Sequence, residues 1–257
     1  MKKVYKSEVT EGLKCTNGIK PEIIAENDLA HLPSVVKKCL KLAGVVGKEK
    51  IVNVRFNCKG RIRSKPGDSW MNFKSEQYDF FDPPRRVFYI KAHKMGIPAT
   101  GIHLYKNVEA SMVVKIAGLF KVVDAKGPEM NQGETVTVFN DMCLIAPATL
   151  IDKRIEWETI DPLSVRANYK NGDIQISATL QFNESGELIN FISNDRFETA
   201  DGKTYMNYPW STPFAEYKDF NGNRVGTKAS TIYHKPDSDF CYGEFELTEV
   251  EYNCKEL

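Results

Sequence analysis

Apolar side chains recur along this chain with two different periods. Between residues 29 and 44 the period is helical. Leu29, Leu32, Val36, Leu40 and Ala43 share one face, with Val35 and Cys39 beside them, while Lys37, Lys38 and Lys41 take the opposite face. Asp28 suits an N-terminal cap, Pro33 the start of a helix, and Gly44 the left-handed residue just past its end. The pattern predicts one amphipathic helix laid against a sheet.

After Gly47 the period falls to two. Ile51, Asn53, Arg55 and Asn57 alternate with Val52, Val54, Phe56 and Cys58. Similar runs cover 87–92, 102–106, 111–116, 135–139, 154–159, 164–169, 174–182, 188–194, 227–233 and 244–252. Asn171-Gly172, Ser185-Gly186, Asp201-Gly202 and Asn221-Gly222 supply the positive φ of tight hairpins. In the clearest run, Ile174, Ile176, Ala178, Leu180 and Phe182 face one way, and Gln175, Ser177, Thr179 and Gln181 the other. Such alternation describes a sheet with one apolar and one wetted face. A second, short helix is expected only within 140–152, where Asp141 can cap and Ala146-Pro147-Ala148 reads as a helix start.

A meander of some ten strands must curl. The fold class expected is therefore mainly β (α+β): a curved antiparallel half-barrel with the amphipathic helix packed on it. Residues 1–26 read as an N-terminal extension and 27–257 as a single β-rich domain.

Composition narrows the functional classes. Lysine and arginine number 35 against 34 acidic residues, a net charge of +1, which argues against nucleic acid as a partner and weakens the case for an anionic membrane. No stretch reaches the apolar length of a membrane-spanning helix, and membrane contact without a transmembrane segment is the expectation that stays open. The start, Met1 to Lys6, has basic residues without the apolar run of an export signal, and a cytoplasmic location is expected. The six cysteines at 15, 39, 58, 143, 241 and 254 show no close pairing and read as reduced thiols. The four histidines are scattered, and neither a metal nor a cofactor is expected. Nucleophile-elbow, metalloprotease, phosphate-loop and dinucleotide motifs do not occur. The oligomeric state is not encoded in any pattern here.

Several groups of motifs resemble an uncharacterised bacterial family known only as a domain of unknown function. They run in order: Leu32-Pro33-Ser34-Val35-Val36 with Gly44-Val45-Val46-Gly47-Lys48; Val54-Arg55-Phe56 with Lys59-Gly60; Trp70-Met71-Asn72-Phe73 with Glu76-Gln77-Tyr78; Pro83-Pro84 before Val87-Phe88-Tyr89; Ala125 to Met130; Pro147-Ala148; and Pro209-Trp210 with Tyr217 and Asn221-Gly222. Arg85, Asn107 and Glu109 depart from the family's usual residues. That family is similar in fold pattern to the LolA/LolB type of periplasmic lipoprotein carriers. The resemblance implies a half-barrel wrapped around helices, with an apolar ligand cavity.

The function expected is non-enzymatic binding of a lipid or other hydrophobic molecule in the concave face. Apolar walls with a few polar groups make such sites. The candidates are the aromatic residues Trp70, Phe73, Tyr78, Phe88, Trp157 and Trp210, with Glu134 and Arg196 as a polar pair. Alternatives are an interaction or envelope-associated scaffold with pairing edge strands, and a hydrolase using carboxylates near Glu134. The run Arg61, Arg63, Lys65 shares one strand face and reads as a solvated edge or a partner-binding stripe.

Overall fold

The computed structural model describes residues 1–94 and 96–257. The first half of the chain forms β1 (Asn53–Ile62), β2 (Met71–Phe81), β3 (Pro84–Lys94), β4 (Ile97–Lys106), β5 (Glu109–Ile116) and β6 (Phe120–Lys126). The second half forms β7 (Ile155–Asp161), β8 (Ser164–Asn171), β9 (Ile174–Phe182), β10 (Leu188–Ser193), β11 (Phe197–Glu198), β12 (Met206–Asn207), β13 (Trp210–Ser211), β14 (Phe214–Phe220), β15 (Asn223–His234) and β16 (Asp239–Tyr252). Fourteen strands make one sheet, ordered β6-β5-β4-β3-β2-β1-β16-β15-β13-β10-β9-β8-β7 with β14 attached to β15. The last strand pairs antiparallel with the first, so β1 and β16 lie mid-sheet and β6 and β7 are the two edges. The glycines of the four hairpin dipeptides, Gly172, Gly186, Gly202 and Gly222, all adopt positive φ, as expected.

Among the described residues three α-helices accompany the sheet: α1 (Lys2–Thr16), α2 (Ser34–Leu42) and α3 (Pro128–Leu144). The expected amphipathic helix is α2, and it buries Val35, Val36, Cys39 and Leu40. Helix α3 touches β3, β5 and β6 on one wing and β9 and β10 on the other. One helix can meet both wings only if the sheet curls round it, and the architecture is the expected mostly antiparallel half-barrel.

Two expectations need correction. The run Thr135 to Phe139, expected as a strand, lies inside α3, and the short helix expected at 140–152 begins at Pro128, ends at Leu144 and is followed by a 3-10 turn at Pro147–Ile151. Locally the β-branched residues favour a strand. Enclosure by the sheet overrides them: Gly133 through Asn140 are all buried, so α3 has no wetted face to give a helical period. The N-terminal extension, residues 1–26, carries α1. Tyr5, Val9 and Leu13, spaced at four residues, place α1 on the convex face against Tyr78, Phe80, Val87 and Ile102. The approach is close at Gly12, where a Cβ would sit 2.4 Å from the Phe80 ring.

Candidate functional site

Strand alternation sends Gln77 and Asp79 of β2, Arg86 and Phe88 of β3, and His103 and Tyr105 of β4 to the concave side, where α3 presents Glu134 and Asp141. The result is a buried polar cluster under the helix. Arg86 donates through Nη1 to Glu134 Oε2 at 2.9 Å, through Nε to Asp141 Oδ2 at 3.0 Å and through Nη2 to Gln77 Oε1 at 2.9 Å. Gln77 Nε2 donates to Asp79 Oδ1 at 2.8 Å and to Asp141 Oδ2 at 2.8 Å. His103 Nδ1 lies 3.3 Å from Glu134 Oε1, and the Phe88 ring sits edge-on to the His103 ring and against the Arg86 guanidinium.

The carboxyls are driven apart. Burial works to raise Glu134, but the charges of Arg86 and His103 outweigh it and hold the group well below the usual carboxylate range. Burial, with the nearby Asp141 carboxylate, pushes Asp79 well above that range, and burial likewise raises Asp141. Three carboxyls share one buried guanidinium, and burial favours the protonated form most strongly at Asp79. Glu134 and Asp79 are both enclosed, and both Glu134 oxygens are engaged, which leaves no open face for general acid or base work on a substrate.

Beyond this cluster the concave face differs between its wings. On β8 and β9 the inward residues Val165, Ala167, Ile176, Ala178 and Leu180 are buried. On the β3–β6 wing the inward residues Phe88, Ile90, Ala99, Met112, Val114 and Val123 are only half-buried. Register joins them into one lane: Phe88 opposes His103, Ile90 opposes Gly101, Gly101 opposes Val114, and Val114 opposes Val123. Gly101 keeps the floor low, since a Cβ there would come within 2.8 Å of Ile90 Cγ2. The lane starts at His103 and Glu134 and runs about 14 Å, four residues of strand, toward the start of β4 and the β5–β6 turn.

The structure gathers only some of the residues singled out from sequence. Phe88 and Glu134 meet at the root of the lane. Phe73 is buried on the concave side against Phe245, with ring centroids 4.9 Å apart. Arg196 and Trp210 stack at 4.7 Å on the other side of α3, where Arg196 Nη1 donates to Gly133 O and Thr137 Oγ1. Glu134 takes Arg86, not Arg196, as its hydrogen-bonded arginine. Tyr78 lies on the convex face beneath α1. Trp70 lies just before β2, with the guanidinium groups of Arg61 and Arg63 over its ring. Trp157 is half-buried on β7, near the far edge. Sequence reading passed over Arg86, Gln77 and Asp79. Their signal was three polar residues at inward positions of otherwise apolar strands.

Two other arrangements compete for attention. Ser211 Oγ, His234 Nε2, His234 Nδ1 and Asp239 Oδ1 form a relay with both links at 2.8 Å. In a hydrolytic triad the serine is open and the acid enclosed. Here Ser211 is 1% exposed and the Asp239 side chain 65% exposed, so the relay pins β13 to β15 and offers no nucleophile. A cleft of about 540 Å³ opens between residues 19–22 and the loops at Phe81 and Arg154. Its charges are mixed, with Lys50 paired to Glu22 and Arg154 to Asp152. No group of three or more metal-ligating side chains occurs among the described residues.

Fold and site define a class, an antiparallel half-barrel closed on a central helix with a partly open apolar concave wing. The chain belongs to a family of unknown function, DUF6544, whose sequence pattern matches residues 22–245. No curated protein gives a match. Among solved structures it is similar to a DUF1329 family protein from Desulfovibrio piger, at 11% identity over 86% of this chain and 92% of that one, with a TM-score of 0.47. It is also similar to a LolA superfamily protein from Nitrosomonas europaea, at 8% identity over 85% of this chain and 91% of that one, with a TM-score of 0.44.

Proposed function

We propose that this protein binds an apolar or amphipathic molecule, of lipid type, along the concave lane of the β3–β6 wing without transforming it. The observation that carries the reading is the half-exposed row from Phe88 to Val123, set beside a second wing whose inward residues Val165, Ala167, Ile176, Ala178 and Leu180 are closed. Apolar surface left in contact with water on an inward face is a standing gain for any ligand that covers it. The root supplies polarity, since the His103 ring faces the lane and its Nδ1 is engaged by Glu134.

Extraction of purified protein into organic solvent, followed by mass spectrometry, tests the reading. Wild-type protein is expected to release a bound amphiphile in near-stoichiometric amount. Gly101→Leu, which fills the floor of the lane, is expected to release far less while keeping its circular dichroism. Equal recovery from both, or none from wild type, would count against ligand binding in the lane.

A further inference from the structure

The lane opens onto the end of the wing where the start of β4 lies beside the turn after β5, as the β4–β5 register requires. That end is apolar and fully open. Leu119 is 78% exposed and Phe120 69%, with Ile97, Val122 and Ile116 exposed beside them. Ala117 and Gly118, both at positive φ, form the tight turn that projects Leu119 and Phe120. The surroundings are basic. Segments 90–101 and 112–123 contain Lys91, Lys94, Lys115 and Lys121 and no aspartate or glutamate. The next acid in the sequence, Asp124, pairs with Lys121 and offsets its charge, so the basic excess comes from the other lysines. Large apolar side chains at the apex with lysines one step behind match the layering of a bilayer surface, acyl region below and anionic headgroups above.

From this we infer that the β5–β6 hairpin tip seats the protein on an anionic lipid bilayer, with Leu119 and Phe120 inserted and Lys115 and Lys121 at headgroup level. Charge complementarity selects the bilayer over a second copy of the chain, whose own tip carries the same lysines and would repel it. The inference stands apart from the ligand reading, because the tip is exposed whether or not the lane is filled.

Flotation of the full chain with phosphatidylcholine vesicles, with and without phosphatidylglycerol, tests it. Binding is expected to rise about tenfold with phosphatidylglycerol and to fall with added salt. The double variant Leu119→Asp, Phe120→Asp is expected to lower it about tenfold, with its thermal midpoint unchanged because both positions are exposed. In a second measurement, Phe120→Trp should show a blue-shifted emission on adding the anionic vesicles. The inference is overturned if wild type does not float with phosphatidylglycerol vesicles, or if the double variant floats equally well. It is also overturned if the tip instead supports a dimer that the double variant dissociates.

Discussion

At the level of single residues the unusual feature is one guanidinium among three carboxyls in a closed interior. Buried ion pairs of this kind add little net stability, because desolvation offsets attraction, yet removing one member leaves the others uncompensated. The members carry opposite pH signs. Glu134, held below its ordinary range, contributes stability that is lost as pH falls into the acid range. Asp79, held above it, favours the folded state only while protonated, and that contribution is lost as pH rises from the ordinary carboxylate range toward neutrality. Asp79→Asn keeps an acceptor for Gln77 Nε2 and removes the buried acid. It should stabilise the protein at pH 7 by roughly 1–3 kcal/mol, with the difference shrinking as pH falls. Arg86→Ala should destabilise by about 3–5 kcal/mol at the same pH. Chemical denaturation across a pH series reads both. An Asp79→Asn advantage that grows toward acid would reverse the assigned sign.

At the level of elements, the half-barrel depends on two helices on opposite faces of one sheet. On the convex side α1 is attached through Tyr5, Val9 and Leu13, and through a hydrogen bond from Tyr5 Oη to Glu76 Oε1 at 2.8 Å. Gly12→Val should force the helix off Phe80 and cost about 1–3 kcal/mol. Limited proteolysis should then cut within residues 1–26 while the remainder stays resistant; unchanged resistance would show that α1 docks elsewhere. The period-two strands, the hairpin glycines and α2 were legible because each has one wet and one dry face. Two parts were hidden. Strand β2 has side chains buried on both faces, concave Phe73 and Phe81 and convex Tyr78 and Phe80, so it reads as an aromatic cluster with no alternation. Helix α3 is enclosed all round, so neither its period nor its boundaries could be seen. Glu134 was legible as a candidate, but its partner Arg86 was not, since sequence distance says nothing about which strand curls to meet a central helix.

For the whole molecule, curvature divides the concave face into a closed wing and an open lane, and the lane sets what can bind. Each buried methylene contributes about 0.8 kcal/mol, while association costs from about 4 to 15 kcal/mol. A ligand with roughly four methylenes in the lane therefore gains about 3 kcal/mol and fails to bind, whereas one with three or four times as many exceeds the lower end of that cost. The most direct test is a titration of wild type and Gly101→Leu with a long-chain fluorescent acyl probe, competed by unlabelled acids of increasing chain length. Saturable binding is predicted, with displacement improving as the chain lengthens and affinity weakened about tenfold or more in the variant, some 1.4 kcal/mol. Signal that never saturates, or equal affinity in the two proteins, would contradict a ligand held in the concave lane.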